Sequence, residues 1–252
     1  MAVFGKALTL IISLQLPIQS RFYYTEKNTN NNNPTQVGFF YIKIGYTYPM
    51  STRSKYIWAS ILLFGAVYYL VAELITIGLT SDQFASYYTH TISELSVPYS
   101  INQFSKSYLL MQSAFFVNGP IFTIGYYYLV RPHLLKGKQI ATILSIIVGL
   151  GTIMVGLFHC EGSHLLHMIA TVITFVSGTM TLLWTSIYST MFSPKIIRIL
   201  CLFSFLAMVL TLTPLQQPLL PILERMVIYP IVFFQFVVVK TTVSQNGCLT
   251  QH

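Results

Sequence analysis

The chain has 252 residues, of which 54% are hydrophobic and only 8% are charged. So few charged residues cannot cover the surface of a water-soluble protein of this length, so much of that surface must face lipid. The formal net charge of +8 is not accompanied by a basic face with interleaved stacking residues, so it does not indicate a nucleic-acid partner. The composition therefore predicts an integral membrane protein that associates with membrane lipid and not with nucleic acid.

Residues 1–50 differ from the rest of the chain, because an apolar run at 7–17 precedes an asparagine-rich polar stretch at 25–36. The polar stretch has the composition of a disordered, low-complexity segment. The apolar run has the length of a signal-peptide core or of an interfacial or additional spanning segment, but no small-residue cleavage site follows it. We expect that Met50 is the natural start, because a short basic sequence ending at Lys55 leads directly into an apolar segment. Residues 1–50 would then be an extension produced by an over-extended gene start.

Six hydrophobic segments follow, each close to the roughly 20 residues that a membrane-spanning helix needs. They cover residues 57–79, 108–130, 139–158, 164–190, 196–214 and 222–239. Gly149, Gly151 and Gly156 in the third segment are small residues of the kind that let membrane helices approach closely. Asn118, near Pro120 in the second, is expected to be satisfied by a neighbouring helix. The prediction is an all-α domain of six transmembrane helices over residues 51–240, followed by a tail at 241–252.

The connections between these segments alternate in charge. One set carries most of the basic residues, namely Arg53, Lys55, Arg131, Lys136, Lys138, Lys195, Arg198 and Lys240. We assign to the other set only two basic residues, Lys106 and Arg225. The same set carries most of the acidic residues, namely Asp82, Glu94, Glu161 and Glu224. The positive-inside rule places the basic set in the cytoplasm. The sequence thus predicts a multi-pass protein of the cell membrane with both termini in the cytoplasm, and this topology accounts for the excess of positive charge.

Histidine and glutamate residues concentrate on the predicted outer side. His164 and His167 begin the fourth segment three residues apart, and His90 and Glu94 are four apart in the first outer connection, so each pair shares a face if helical. Glu73 lies in the outer part of the first predicted helix, where a charge is costly without a partner. We expect these five side chains to approach one another in the outer half of the bundle.

Such a cluster admits several functions. Imidazole and carboxylate groups are zinc ligands, and zinc makes a bound water nucleophilic. One alternative is therefore a lipid hydrolase or transferase at the outer leaflet, with a zinc site formed by Glu73, His90, Glu94, His164 and His167, and with the catalytic candidates Ser93, Glu94, His164 and His167. A second alternative is a small transporter with Glu73 as its proton relay. Purely structural roles are also open, with Ser93 as a helix cap and the histidines at the membrane interface.

Four motifs resemble those of the membrane proteins called domain of unknown function family 998. They are Ile92-Ser93-Glu94-Leu95, Phe116-Val117-Asn118-Gly119, the run from Gly149 to Phe158, and the fourth segment that begins with His164. The resemblance spans about residues 55–240, and a more distant similarity extends to the Frag/DRAM/Sfk membrane proteins. It implies a six-helix fold but no reaction, because the family has no established activity. The interpretation we favour is a non-catalytic protein that binds lipid or a partner protein, or assists assembly.

Overall fold

The computed structural model describes residues 50–80, 84–98, 106–159, 162–211, 213 and 216–249. The predictions for residues 1–49, including the apolar run and the asparagine-rich stretch, lie outside the described residues. Asp82 and Glu161, which were predicted to lie in outer connections, are also outside the described residues. The structural statements below concern the described part of the chain.

All regular secondary structure in the described part is helical. The α-helices are α1 (Thr52–Gly78), α2 (Phe84–Thr89), α3 (Tyr108–Gly125), α4 (Lys138–Leu157), α5 (His164–Tyr188), α6 (Pro194–Leu210) and α7 (Gln216–Leu249). Helix α3 continues into a π-helical turn, Tyr126–Val130, and two short 3₁₀ helices cover Glu94–Ser96 and Arg131–His133. The prediction of an all-α protein is confirmed, and each of the six predicted segments corresponds to one long helix.

Four of the long helices are long and apolar enough to cross a membrane. They are α1, α4, α5 and the part of α7 between Leu219 and Ser244. Helix α6 is shorter, with 17 residues, and α3 carries Pro120 and the buried Asn118 within its length. Large apolar side chains such as Leu74 and Leu165, which are 65% and 72% exposed, lie on the outside of the helices. Such an apolar exterior is suited to lipid rather than to water.

The six long helices form a closed ring. Each packs on the next in chain order, and α7 returns to pack on α1. Small residues make the contact between α3 and α4 close at two places, as predicted for Gly149 and Gly156. A Cβ atom added at Gly119 would lie 2.6 Å from the backbone oxygen of Gly149 on the neighbouring helix, and one added at Gly156 would lie 3.0 Å from the Cβ of Phe115.

The connections that follow α3 and α5 meet at one end of the ring. The backbone N–H of Leu135 donates to the oxygen of Tyr188 at 2.9 Å, and that of Thr190 donates to the oxygen of His133 at 3.1 Å. Near the start of α1, Trp58 stacks on Tyr128 with 4.7 Å between the ring centroids. We call this the basic end, because it carries Arg53, Lys55, Arg131, Lys136, Lys138, Lys195 and Arg198. The other end, with Glu73, Glu94 and Glu224, is called the acidic end.

Candidate functional site

An ion pair is buried inside the acidic end. The Nε of Arg225 on α7 donates to Oε1 of Glu73 on α1 at 2.8 Å, and each side chain is only 2% exposed. The hydroxyl of Tyr229 donates to Oε2 of the same carboxylate at 3.0 Å. Glu73 therefore has the partner that its predicted depth required, but the partner is an arginine and not one of the predicted histidines.

The assignment of Glu224 and Arg225 to a connection is wrong. Both lie within α7, and both are buried, with 4% and 2% of their surface exposed. The helix begins at Gln216 rather than near residue 222, so its first turns extend the apolar segment and carry both charged side chains into the bundle. The signal that could have revealed this is an acidic and a basic residue side by side at the start of an apolar run, since charges at such a position usually face the interior of a bundle.

Arg225 also holds the segment that follows α1. Its Nη1 donates to the backbone oxygen of His90 at 2.9 Å and to that of Pro221 at 3.0 Å. Its guanidinium group lies over the ring of Tyr87 on α2, with 4.4 Å to the centroid. Such contacts with a guanidinium group are strong when they are removed from water. A single side chain thus connects α7 with α1, α2 and the chain that follows α2.

Residues 91–96, which contain the Ile-Ser-Glu motif, form a compact loop that we call the capping loop. The N–H of Thr91 donates to Oε2 of Glu94 at 2.7 Å, and the N–H of Glu94 donates to Oγ1 of Thr91 at 3.2 Å. This reciprocal pair is the pattern of a capping box. The Oε2 of Glu224 accepts from the N–H of Ile92 at 2.6 Å and, more weakly, from that of Ser93 at 3.5 Å. The capping loop is therefore fastened to α7 by a buried carboxylate.

The predicted catalytic and metal-binding residues are only partly brought together. His90 Nδ1 lies 3.7 Å from Glu94 Oε2, and both Glu94 and His164 are close enough to His167 to act on it electrostatically. The Nδ1 of His167 donates to the oxygen of Phe158 at 2.7 Å. His164 is exposed at the first position of α5, whereas His167 is buried.

Ser93 is buried, and its hydroxyl lies 3.1 Å from that of Thr91. Among the described residues, no group of three or more histidine, cysteine, aspartate or glutamate side chains is arranged to hold a metal ion. The zinc site thus stays a prediction that would require side-chain movement. His159, which was not among the predicted site residues, has a buried Nδ1 that finds no hydrogen-bond partner within the described part of the chain. Burial lowers the pKa of His159, and nearby His167 adds to this effect.

A cavity lies at the centre of the ring, beside Glu224. Its volume is about 30 Å³, room for about one or two water molecules or a group of that size. Aromatic and branched apolar side chains form most of its wall, including Phe115, Phe122, Phe175, Val148, Val155 and Ile231. Its polar lining residues are Tyr69, Asn118, Thr152, Thr171, Thr174 and Glu224. Tyr69 is 1% exposed, and its hydroxyl has no hydrogen-bond partner among the described residues.

Polar contacts continue from the cavity toward the basic end. The Oδ1 of Asn118 on α3 accepts from Nε2 of Gln235 on α7 at 3.0 Å, so another helix supplies the partner that was predicted for this asparagine, from across the ring rather than from an adjacent position. Further along, Tyr126 and Thr185 share a hydrogen bond of 2.8 Å between buried hydroxyl groups. Tyr69 and Gln235 were not predicted from the sequence, because a single polar residue in an apolar run does not show which face of the helix carries it.

Apolar helices of membrane-spanning length around a buried charged site define a helical membrane protein. Residues 62–240 match the family model described as protein of unknown function (DUF998), and the chain belongs to this family. The match extends from the third turn of α1 well into α7, so it includes the ion pair, the capping loop and the cavity. No curated protein and no solved structure was found to be similar to the chain.

Proposed function

We propose that the protein crosses the cell membrane six times, with both termini in the cytoplasm. Helix α3 packs between α1 and α4, and helix α6 packs between α5 and α7. A membrane-spanning helix needs about 17 residues or more. Helix α3 gains length from the π-helical turn that follows it. Because most of the basic residues gather at one end, the positive-inside rule supports a cytoplasmic basic end and an outward-facing acidic end.

We further propose that the protein is a non-catalytic lipid-binding protein that takes the polar group of an amphiphile into its central cavity. The observation that carries this proposal is the cavity itself, which combines apolar walls with Glu224 and the unpartnered hydroxyl of Tyr69. A mainly apolar cavity with a few converging polar groups is the usual form of a ligand site. Its small volume suits one polar group, while the chain of the amphiphile would pass between helices toward the lipid.

The two alternatives have weaker support. A lipid hydrolase or transferase would need an accessible nucleophile, whereas Ser93 is buried and engaged within the capping loop. A transporter that uses Glu73 as a relay would need an available carboxylate, whereas both oxygens of Glu73 accept hydrogen bonds from Arg225 and Tyr229. Glu224, not Glu73, is the carboxylate that lines the cavity.

Native mass spectrometry of the full chain, released from membranes in mild detergent, tests the proposal. Val155 is 5% exposed and lines the cavity, whereas Val172 is 51% exposed on the lipid-facing side of α5. Val155→Met fills the cavity and leaves no room for the polar group of a lipid, so retained lipid should fall at least about tenfold, which corresponds to about 1.4 kcal/mol of binding free energy. Val172→Met introduces the same side chain outside the cavity and should retain lipid as the wild type does. Equal retention by the two variants would contradict binding in the cavity.

A further inference from the structure

The buried charges at the acidic end do not balance. Two carboxylates, Glu73 and Glu224, and one guanidinium group, Arg225, are buried there within the described residues. Arg225 acts electrostatically on Glu224 but donates its hydrogen bonds to Glu73 and to backbone oxygens. Glu224 instead accepts from backbone N–H groups of the capping loop. A buried carboxylate of this kind requires a proton or a further cation.

The cavity beside Glu224 offers hydrogen-bond acceptors to a ligand. The hydroxyls of Thr152 and Thr174 donate to the backbone oxygens of Val148 and Ala170, both at 2.8 Å, so only their lone pairs are available to a ligand. The described residues that line the cavity include no lysine or arginine. The ring of Phe115, edge-on to that of Tyr69 at 5.7 Å between centroids, adds an aromatic wall. Acceptors, aromatic rings and an unbalanced negative charge together suit a cationic group that donates hydrogen bonds.

We infer that the cavity binds a protonated primary amine, seated between the carboxylate of Glu224 and the hydroxyl of Tyr69. An ammonium group has three donors for these acceptors and is small enough for the cavity. This inference rests on the proposed function, because the amine is the polar group of the amphiphile that the cavity takes up. The ligand class is thus a long-chain amine rather than a fatty acid or a fatty alcohol.

Binding of three matched amphiphiles to the purified full chain, measured by calorimetry in detergent, tests the inference. Dodecylamine, dodecanol and N-acetyldodecylamine share one chain and differ in the charge and donors of the head. Dodecylamine should bind at least about tenfold more tightly than either neutral analogue, which corresponds to about 1.4 kcal/mol. Val155→Met should weaken the binding of all three, because it fills the shared cavity.

Three variants locate the amine. Glu224→Gln should remove the advantage of dodecylamine over dodecanol, whereas Arg198→Gln, which removes an exposed charge at the basic end, should keep it. Tyr69→Phe removes only the hydroxyl and should weaken dodecylamine binding several-fold. If the wild type binds dodecylamine and dodecanol equally, the amine inference is overturned but the lipid-binding function stands. If no amphiphile binds, or Val155→Met changes nothing, the proposed function fails as well.

Discussion

Arg225 Nε lies 2.8 Å from Glu73 Oε1, although 152 residues separate the two in the chain. The ion pair joins the last long helix to the first and lies where water is excluded, since both side chains are 2% exposed. Removing one partner of such a pair leaves the other charge buried alone, which costs far more than the pair itself contributes.

Arg225→Met should therefore destabilise the folded protein by about 3–5 kcal/mol. The double variant Glu73→Leu with Arg225→Met should recover part of this loss, because the carboxylate of Glu73 is then no longer buried without its partner, while Glu224 stays buried in both variants. Arg198→Met, at an exposed position of the basic end, is the control and should change little. Unfolding in detergent, followed by circular dichroism, measures all three. A double variant no more stable than Arg225→Met alone would contradict the prediction.

The hydrogen bond between the N–H of Ile92 and Glu224 should determine how firmly the capping loop is held. Glu224→Gln keeps an acceptor but removes its charge, and a charged acceptor is stronger than a neutral one by about 1 kcal/mol. Amide exchange at Ile92 should therefore become roughly fivefold faster. The amide of Thr190, bonded to the oxygen of His133 at the basic end, is an internal control. Unchanged exchange at Ile92 would show that Glu224 does not hold the loop.

The crossing of α3 and α4 should be intolerant of a larger residue. A Cβ atom at Gly119 would lie 2.6 Å from a backbone oxygen, whereas one at Gly78 would meet nothing within 4 Å. Gly119→Ala should cost about 1–3 kcal/mol through overpacking. Gly78→Ala should be neutral or slightly stabilising, because alanine favours helix over glycine. Thermal unfolding of the two variants compares them directly, and equal midpoints would argue against a close crossing.

The membrane topology predicts which cysteines react with an impermeant thiol reagent. Lys136 is exposed at the basic end, and His164 is exposed at the acidic end. In a background in which Cys160, Cys201 and Cys248 are replaced by serine, Lys136→Cys should react only after the cells are opened. His164→Cys should react in intact cells. Labelling with the opposite preference would reverse the proposed orientation.

Local composition was enough to predict the helical fold, because an apolar run of spanning length has few other stable states in lipid. It also predicted that Glu73 needs a partner and that Asn118 is satisfied by a neighbouring helix. It did not predict that the partner is Arg225, because no local pattern links residues on the first and last helices. Helical spacing predicted a shared face for His164 and His167, yet one is exposed and the other buried, since packing against the preceding connection decides burial at the start of a helix.

The contact between α1 and α7 closes the ring, although no connection of the chain links these two helices directly. The other edges of the ring join long helices that are consecutive in sequence, and α5 and α7 also touch across α6, whereas α1 and α7 meet as the first and last long helices of the described part. Separation of these two helices would stretch no loop between them and would be opposed mainly by side-chain contacts, with the Glu73–Arg225 pair at its acidic end. Under the proposed lipid-binding function, this seam between α1 and α7 is the side of the bundle where an amphiphile would enter with the least change in the rest of the fold.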